Sequence, residues 1–127
     1  MTRYIISFDA HAMDHIPDED GPAVGKAAHA VCQETINAGV LVGTGGLKYQ
    51  RASIVATDGT VTEGALPDAI GGFMLVDVAS HEEALEWAAK IAVACRCAQE
   101  VRELMHDPEL DAMLREADSR RDVAHRA

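Results

Sequence analysis

The densest group of side chains with metal or proton chemistry is Asp9-Ala10-His11-Ala12-Met13-Asp14-His15, where two imidazoles and two carboxylates share one short stretch. Imidazole nitrogen and carboxylate oxygen are ordinary ligands of divalent cations. His11 and His15 stand four apart, the spacing that would set both on one face of a helix. The stretch follows a strand and reads as a loop, however, where that spacing imposes no geometry. It is read as a solvated loop, and neither a metal nor a cofactor is expected. Cys95-Arg96-Cys97, with Cys32 far away in the chain, is a second cluster. A structural zinc wants four ligands at matched spacing, which the chain does not offer, so the thiols are read as small buried hydrophobes.

His29 could do a different chemistry. Gly21-Pro22 opens a helix, with the proline at a first-turn position and Asp18-Glu19-Asp20 upstream at the positive end of the dipole. Val24, Ala27, Ala28, Val31, Thr35 and Ala38 recur at helical spacing as its buried stripe, and Gly39 ends it. At about 100° per residue, His29 falls at the edge of that stripe beside Cys32 and Ile36. Lys26, Gln33 and Asn37 take the wet side. A boundary imidazole is partly desolvated, which moves its pKa in the range where it serves as acid or base. A boundary histidine bonded to a neighbour is the plain alternative, and the residues alone leave both readings open.

The elements that must position these groups are legible from pattern. Tyr4 to Phe8, Val40 to Gly43, Ala52 to Thr57, Thr60 to Thr62 and Ile70 to Val78 read as strands. Asp58-Gly59 is the strongest short hairpin signal and predicts a two-residue turn. Ser80-His81-Glu82-Glu83 is a capping box, opening a second helix to about Ala94. Asp77, His81 and Glu82 around it are read as capping or exposed groups. Ala98 to Met105 is taken as the last strand, with helix as its competitor because Glu, Leu, Met and Arg favour one. Asp107-Pro108-Glu109 opens a tail helix with the stripe Leu110, Met113 and Leu114, expected to fray after Arg120. His106 and His125 fall in or beside that tail.

This order predicts an α+β fold, a ferredoxin-like protomer with an antiparallel sheet and two helices on one face. Residues 1–105 form the domain and 106–127 a helical extension. Strand residues are apolar on both sides (Phe73 and Leu75, Met74 and Val76), so the sheet face opposite the helices also needs a cover. A second subunit is the simplest one, and a homodimer is expected.

At 127 residues the chain is large enough for one core. Its net charge of −10, with eleven Lys and Arg scattered among twenty-one carboxylates, excludes a nucleic-acid binder, which needs a basic face. No apolar run is long enough to span a membrane, and no secretory leader precedes the first strand. Three cysteines make no disulfide framework. A cytoplasmic location is expected.

Taken together, "RYIISF", "INAGVLVGTGGL", "ATDGTVTEG", "IGGFMLVDVASHEEALEWAAKI" and "QEVRELM" resemble the YCII-related family, within it the DGPF-type branch. The pieces stand in the family's order from Arg3 to about Met105, and "GGFMLVDV" followed by "EEALEWAAKI" is the most specific. The resemblance implies a dimeric α/β barrel whose facing sheets enclose small-molecule pockets. It also implies either a lyase-like enzyme of small chlorinated rings or a regulatory module that accompanies an extracytoplasmic-function sigma factor, with a protein partner. Relatives carry a histidine on the first helix and an aspartate after the first strand as a catalytic pair; His29 and Asp9 match those positions. The family's Asp-Gly-Pro-Phe stands here as Glu63-Gly64-Ala65-Leu66, in a loop shorter than usual, so the acid and the turn survive without the proline and the ring. Glu63, Gly64 and the strand residue Phe73 are the expected ligand contacts. The leading expectation is a proton-transfer or elimination enzyme with His29 as base and Asp9 orienting it. The rival is a non-catalytic ligand-binding or regulatory module.

Overall fold

A computed structural model describes residues 1–48 and 52–126, with side chains as far as Val123. Four strands make one antiparallel sheet: β1 (Thr2–Asp9), β2 (Leu41–Gly46), β5 (Ile70–Val78) and β6 (Glu100–Glu103), in spatial order β2-β5-β1-β6. Helix α1 (Gly21–Asn37) links β1 to β2, and α2 (His81–Cys95) links β5 to β6. This is the expected ferredoxin-like α+β arrangement. A two-stranded hairpin, β3 (Ser53–Val55) with β4 (Val61–Glu63), is inserted between β2 and β5, and α3 (Pro108–Arg126) follows β6.

Strand alternation sorts the side chains of β5. Gly72, Met74, Val76 and Val78 are buried toward the helices, while Phe73, Leu75 and Asp77 on the other face are half-buried. The dry side joins Ile6, Met74, Val76 and Val78 to Val31 of α1 and to Ala84, Ala88 and Ile91 of α2. Small alanines there let α2 lie close to the sheet, where burial of each large aliphatic side chain contributes roughly 1.5–3 kcal/mol.

Helix α2 starts as its sequence demands. Ser80 Oγ accepts from Glu83 N–H at 3.1 Å, while Glu83 Oε2 accepts from Ala79 N–H at 3.0 Å, one residue upstream of the usual return bond. It stops at Arg96, which takes the left-handed conformation (φ 56°) usually left to glycine. The Arg96 guanidinium is held 2.8 Å from Asp20, tying the end of α2 to the start of α1.

Several local expectations are corrected. In the hairpin, Ala56 N–H donates to Thr60 O and Gly59 N–H donates to Ala56 O, so the loop holds three residues rather than two. Gly59 alone in it has positive φ (89°), the signature of a type I turn closed by a glycine bulge. The Thr60 side chain and, at Oδ1, the Thr60 N–H both donate to Asp58, which holds its carboxyl below the usual range. On α1, Val24, Val31 and Thr35 are buried but Ala27 and Ala38 are exposed, so the stripe is narrower than the pattern implied. The last strand is only Glu100–Glu103, and α3 continues helical to Arg126 instead of fraying after Arg120. Among the described residues Asp77 caps no helix: Oδ2 lies 4.0 Å from Arg3 Nε, and Oδ1 is buried with no partner among them.

Candidate functional site

The turn that leaves β1 is wound by successive backbone bonds, Ala12 N–H to Asp9 O, Asp14 N–H to His11 O and Ile16 N–H to Met13 O. Asp9 Oδ1 accepts from His11 N–H at 2.9 Å and so braces this turn from its first residue. His11 Nδ1 lies 3.0 Å from Asp14 Oδ2 at the surface. Among the described residues, no group of three or more His, Cys, Asp or Glu side chains is arranged to hold a metal ion.

The turn, the start of α1, the end of α2 and the ends of the central strands enclose an open cavity of about 650 Å³. Its walls are mainly apolar: Ile6, Phe8 and Met74 from the sheet, Met13 and Ile16 from the turn, Val24 and Ala28 from α1, Ile91 from α2. The polar groups facing it are few: Asp18, His29, Thr44 and Gln99, with the thiols of Cys32 and Cys95. Thr44 Oγ1 already donates to Phe73 O at 2.8 Å, and Gln99 Nε2 donates toward Cys97 O. No hydrogen bond or ion pair among the described residues engages the ring of His29. His29 is exposed at the rim of the cavity, not the partly desolvated boundary group that the helical stripe implied, and its imidazole is available to whatever enters. No lysine or arginine lines the cavity among the described residues, so nothing there neutralises an anionic ligand.

Of the residues marked out by sequence, His29 lines this cavity, and Phe73 borders it at the carbonyl that accepts from Thr44 Oγ1, while strand alternation sets its ring on the opposite face of the sheet. Asp9 does not: its carboxylate serves the turn, and no hydrogen bond joins it to His29 among the described residues. Glu63 and Gly64 lie at the end of β4, outside the lining, where Gly64 has φ 121° and its N–H donates to Ala52 O. Their role there is the bend that leaves the hairpin. Asp18, Thr44, Gln99 and Phe8 are wall residues that sequence reasoning missed. Asp18 read as helix-dipole decoration, and the others carry no motif; only the cross-strand pairing of Phe8 with a glycine could have singled one of them out.

The three thiols are free, with Cys95 buried and Cys32 and Cys97 half-buried. Burial pushes the Cys95 thiol up to about 11, and its neighbours Cys97 and Cys32 add to the effect. Burial also raises Cys97, opposed by the hydrogen bond from Gln99. Both stay protonated at neutral pH and are weak nucleophiles there.

No family model and no curated protein sequence matches the chain. A solved structure does: 5-chloro-2-hydroxyhydroquinone dehydrochlorinase from Burkholderia phenoliruptrix AC1100, in complex with 2,5-dihydroxybenzoquinone. The TM-score is 0.50 at 14% identity, covering 86% of this chain and 98% of that one. The likeness is one of fold. No helix among the described residues is long and apolar enough to cross a membrane.

Proposed function

We propose that this chain is a YCII-related small-molecule enzyme that removes a proton from an uncharged ligand held in the cavity, with His29 as general base. The observation that carries the reading is one unengaged imidazole at the rim of an apolar cavity that no lysine or arginine lines among the described residues. An apolar pocket with a few convergent polar groups is the usual form of a small-molecule site. In an elimination there, one ring hydroxyl first becomes a carbonyl as its proton moves to the halogen-bearing carbon; the imidazole then takes the proton of a second hydroxyl, that electron pair moves through the ring, and halide leaves the carbon with its bonding pair. The products are a quinone, the halide and the protonated base; atoms and electrons balance without an external oxidant. The fold neighbour's dehydrochlorination is of this type, which favours elimination over other proton transfers. Asp9 then acts as a positioning residue, since its bond to His11 N–H holds the turn that carries Met13 and Ile16 into the wall.

The protein works as a homodimer in this reading, with the half-buried face of Ile5, Phe73 and Leu75 covered by a second copy. Incubation with chlorinated hydroxyhydroquinones, read by chloride release, tests the activity. His29→Asn should reduce turnover by at least about a hundred-fold, the usual contribution of a positioned base. Asp9→Asn should act less, through KM.

One observation favours the non-catalytic alternative: no carboxylate among the described residues is hydrogen-bonded to His29 to orient its ring. The same incubation separates the two, because a binding module would retain the ring compound without releasing chloride.

A further inference from the structure

Phe8 and Gly72 are cross-strand partners at the end of the sheet, where the register then slips so that Asp9 faces Ile70 and Gly71 has no partner on β1. A Cβ at Gly72 would lie 2.6 Å from Phe8 Cζ and 2.7 Å from Cε1; one at Gly71 would lie 2.9 Å from Cε2. No side chain fits at such distances. Neither glycine has the positive φ that would by itself demand glycine. What the pair provides is absence: the phenyl ring lies across bare backbone, and its remaining surface faces the cavity.

The chain is poor in aromatics, with two phenylalanines in all, and Phe8 is the one whose strand position sets its ring on the helix side, where it lines this cavity. Elsewhere Ala, Val, Ile and Met fill most of the interior, with Tyr4 the buried aromatic and Trp87 packed at its edge. An apolar wall alone does not need phenyl rings, whereas a flat ligand gains from an aromatic face to stack on.

We propose that Phe8 is the stacking wall for an uncharged flat ring in the cavity, and that Gly72 is the positioning residue that keeps the ring of Phe8 back against the sheet. The proposal rests on the small-molecule reading of the cavity and adds a selectivity for planar over puckered rings. A methyl at position 72 drives the Phe8 ring off the backbone and into the space the ligand uses. The same methyl would stand 3.2 Å from Gly45 O, so the backbone of β2 must give there by a few tenths of an ångström.

The test titrates hydroquinone and its saturated counterpart cyclohexanediol into the full chain, followed by chemical shifts. Wild type should prefer hydroquinone by about three- to ten-fold, the range of one aromatic stacking contact. Gly72→Ala should erase that preference with the circular dichroism spectrum unchanged, and Phe8→Leu should erase it as well. In the Phe8→Leu background, Gly72→Ala should have no further effect on the preference, because both act through the same ring. Should Gly72→Ala not fold, Phe8→Leu alone decides. Binding of both probes with equal affinity by wild type would overturn the stacking wall and leave the cavity reading standing. Retention of the preference in Phe8→Leu would do the same. Binding of neither probe by wild type would overturn the cavity reading and this proposal with it.

Discussion

The two faces of the same sheet have been built to different standards. Toward the helices, Ile6, Met74, Val76 and Val78 are excluded from water almost entirely, at 0–2% exposure. On the opposite face, their immediate neighbours Ile5, Phe73 and Leu75 are only half-buried, and the row is broken by Arg3, Ser7 and Asp77, whose Oδ1 is shielded with no partner among the described residues. Alternation in a strand dictates that the faces differ, but not that both be apolar. An antiparallel sheet with one wet face ordinarily shows polar residues there. The comparison teaches that the helix face completes the protomer, whereas the other is made to be covered, the physical basis for the proposed dimer.

Paired truncations on adjacent residues break or sharpen the contrast most directly. Met74→Ala should cost about 2–5 kcal/mol in urea unfolding of the protein, since it removes a side chain only 2% exposed from the face packed against the helices. Leu75→Ala, one residue on, should cost the protomer well under half as much. Equal costs would mean that the two faces are equivalent after all.

Association is the next largest effect. Light scattering of wild type at micromolar concentration should give a dimer mass, and Leu75→Asp should yield a folded monomer, because a desolvated centre of an interface carries about 2 kcal/mol or more. A monomeric wild type would remove the reason for an apolar second face.

Dryness on the helix side can be read from Cys95. Its thiol is raised from 9.0 to about 11, mainly by burial. Between these values the unfolded chain has lost the proton that the folded chain still holds, so stability falls as pH rises. The loss through that window should be on the order of 2 kcal/mol, fully absent below pH 9 and removed by Cys95→Ala, as followed by unfolding at several pH values. Cys97, less deeply placed, should react faster with a thiol reagent.

The smallest effect belongs to Asp77. Its long contact with Arg3 is partly exposed and worth roughly 0–1 kcal/mol. Asp77→Asn should therefore change protomer stability by less than about 1 kcal/mol in the same urea assay. A loss several times larger would show a buried, paired charge.

Local chemistry was legible wherever it acts over a few residues. Ser80 and Glu83 announced the start of α2, Pro22 the start of α1, and Gly39 its end, because caps and glycine turns depend on the nearest backbone groups. The order of strands and helices followed from periodicity, and with it the ferredoxin-like protomer. Even so, Asp58-Gly59 predicted the hairpin and not its loop length, since one dipeptide suits either a two-residue turn or a three-residue loop with a bulge.

The site itself was decided by the tertiary structure. The helical wheel set His29 at the edge of the buried stripe, and the structure leaves it exposed at the cavity rim; its partner could not be read off, because Asp9 has two claimants and the backbone N–H two residues away wins, needing no long-range placement. Phe8, Asp18, Thr44 and Gln99 meet His29 only because the register of β1 on β5 and the packing of α1 beside α2 bring distant segments to one rim. Sequence by itself determined the elements, the acidic surface and the apolarity of both sheet faces, which are properties of residue type and spacing. The tertiary structure alone decided which side chains share a cavity, because that depends on how many separate packings close around the same space.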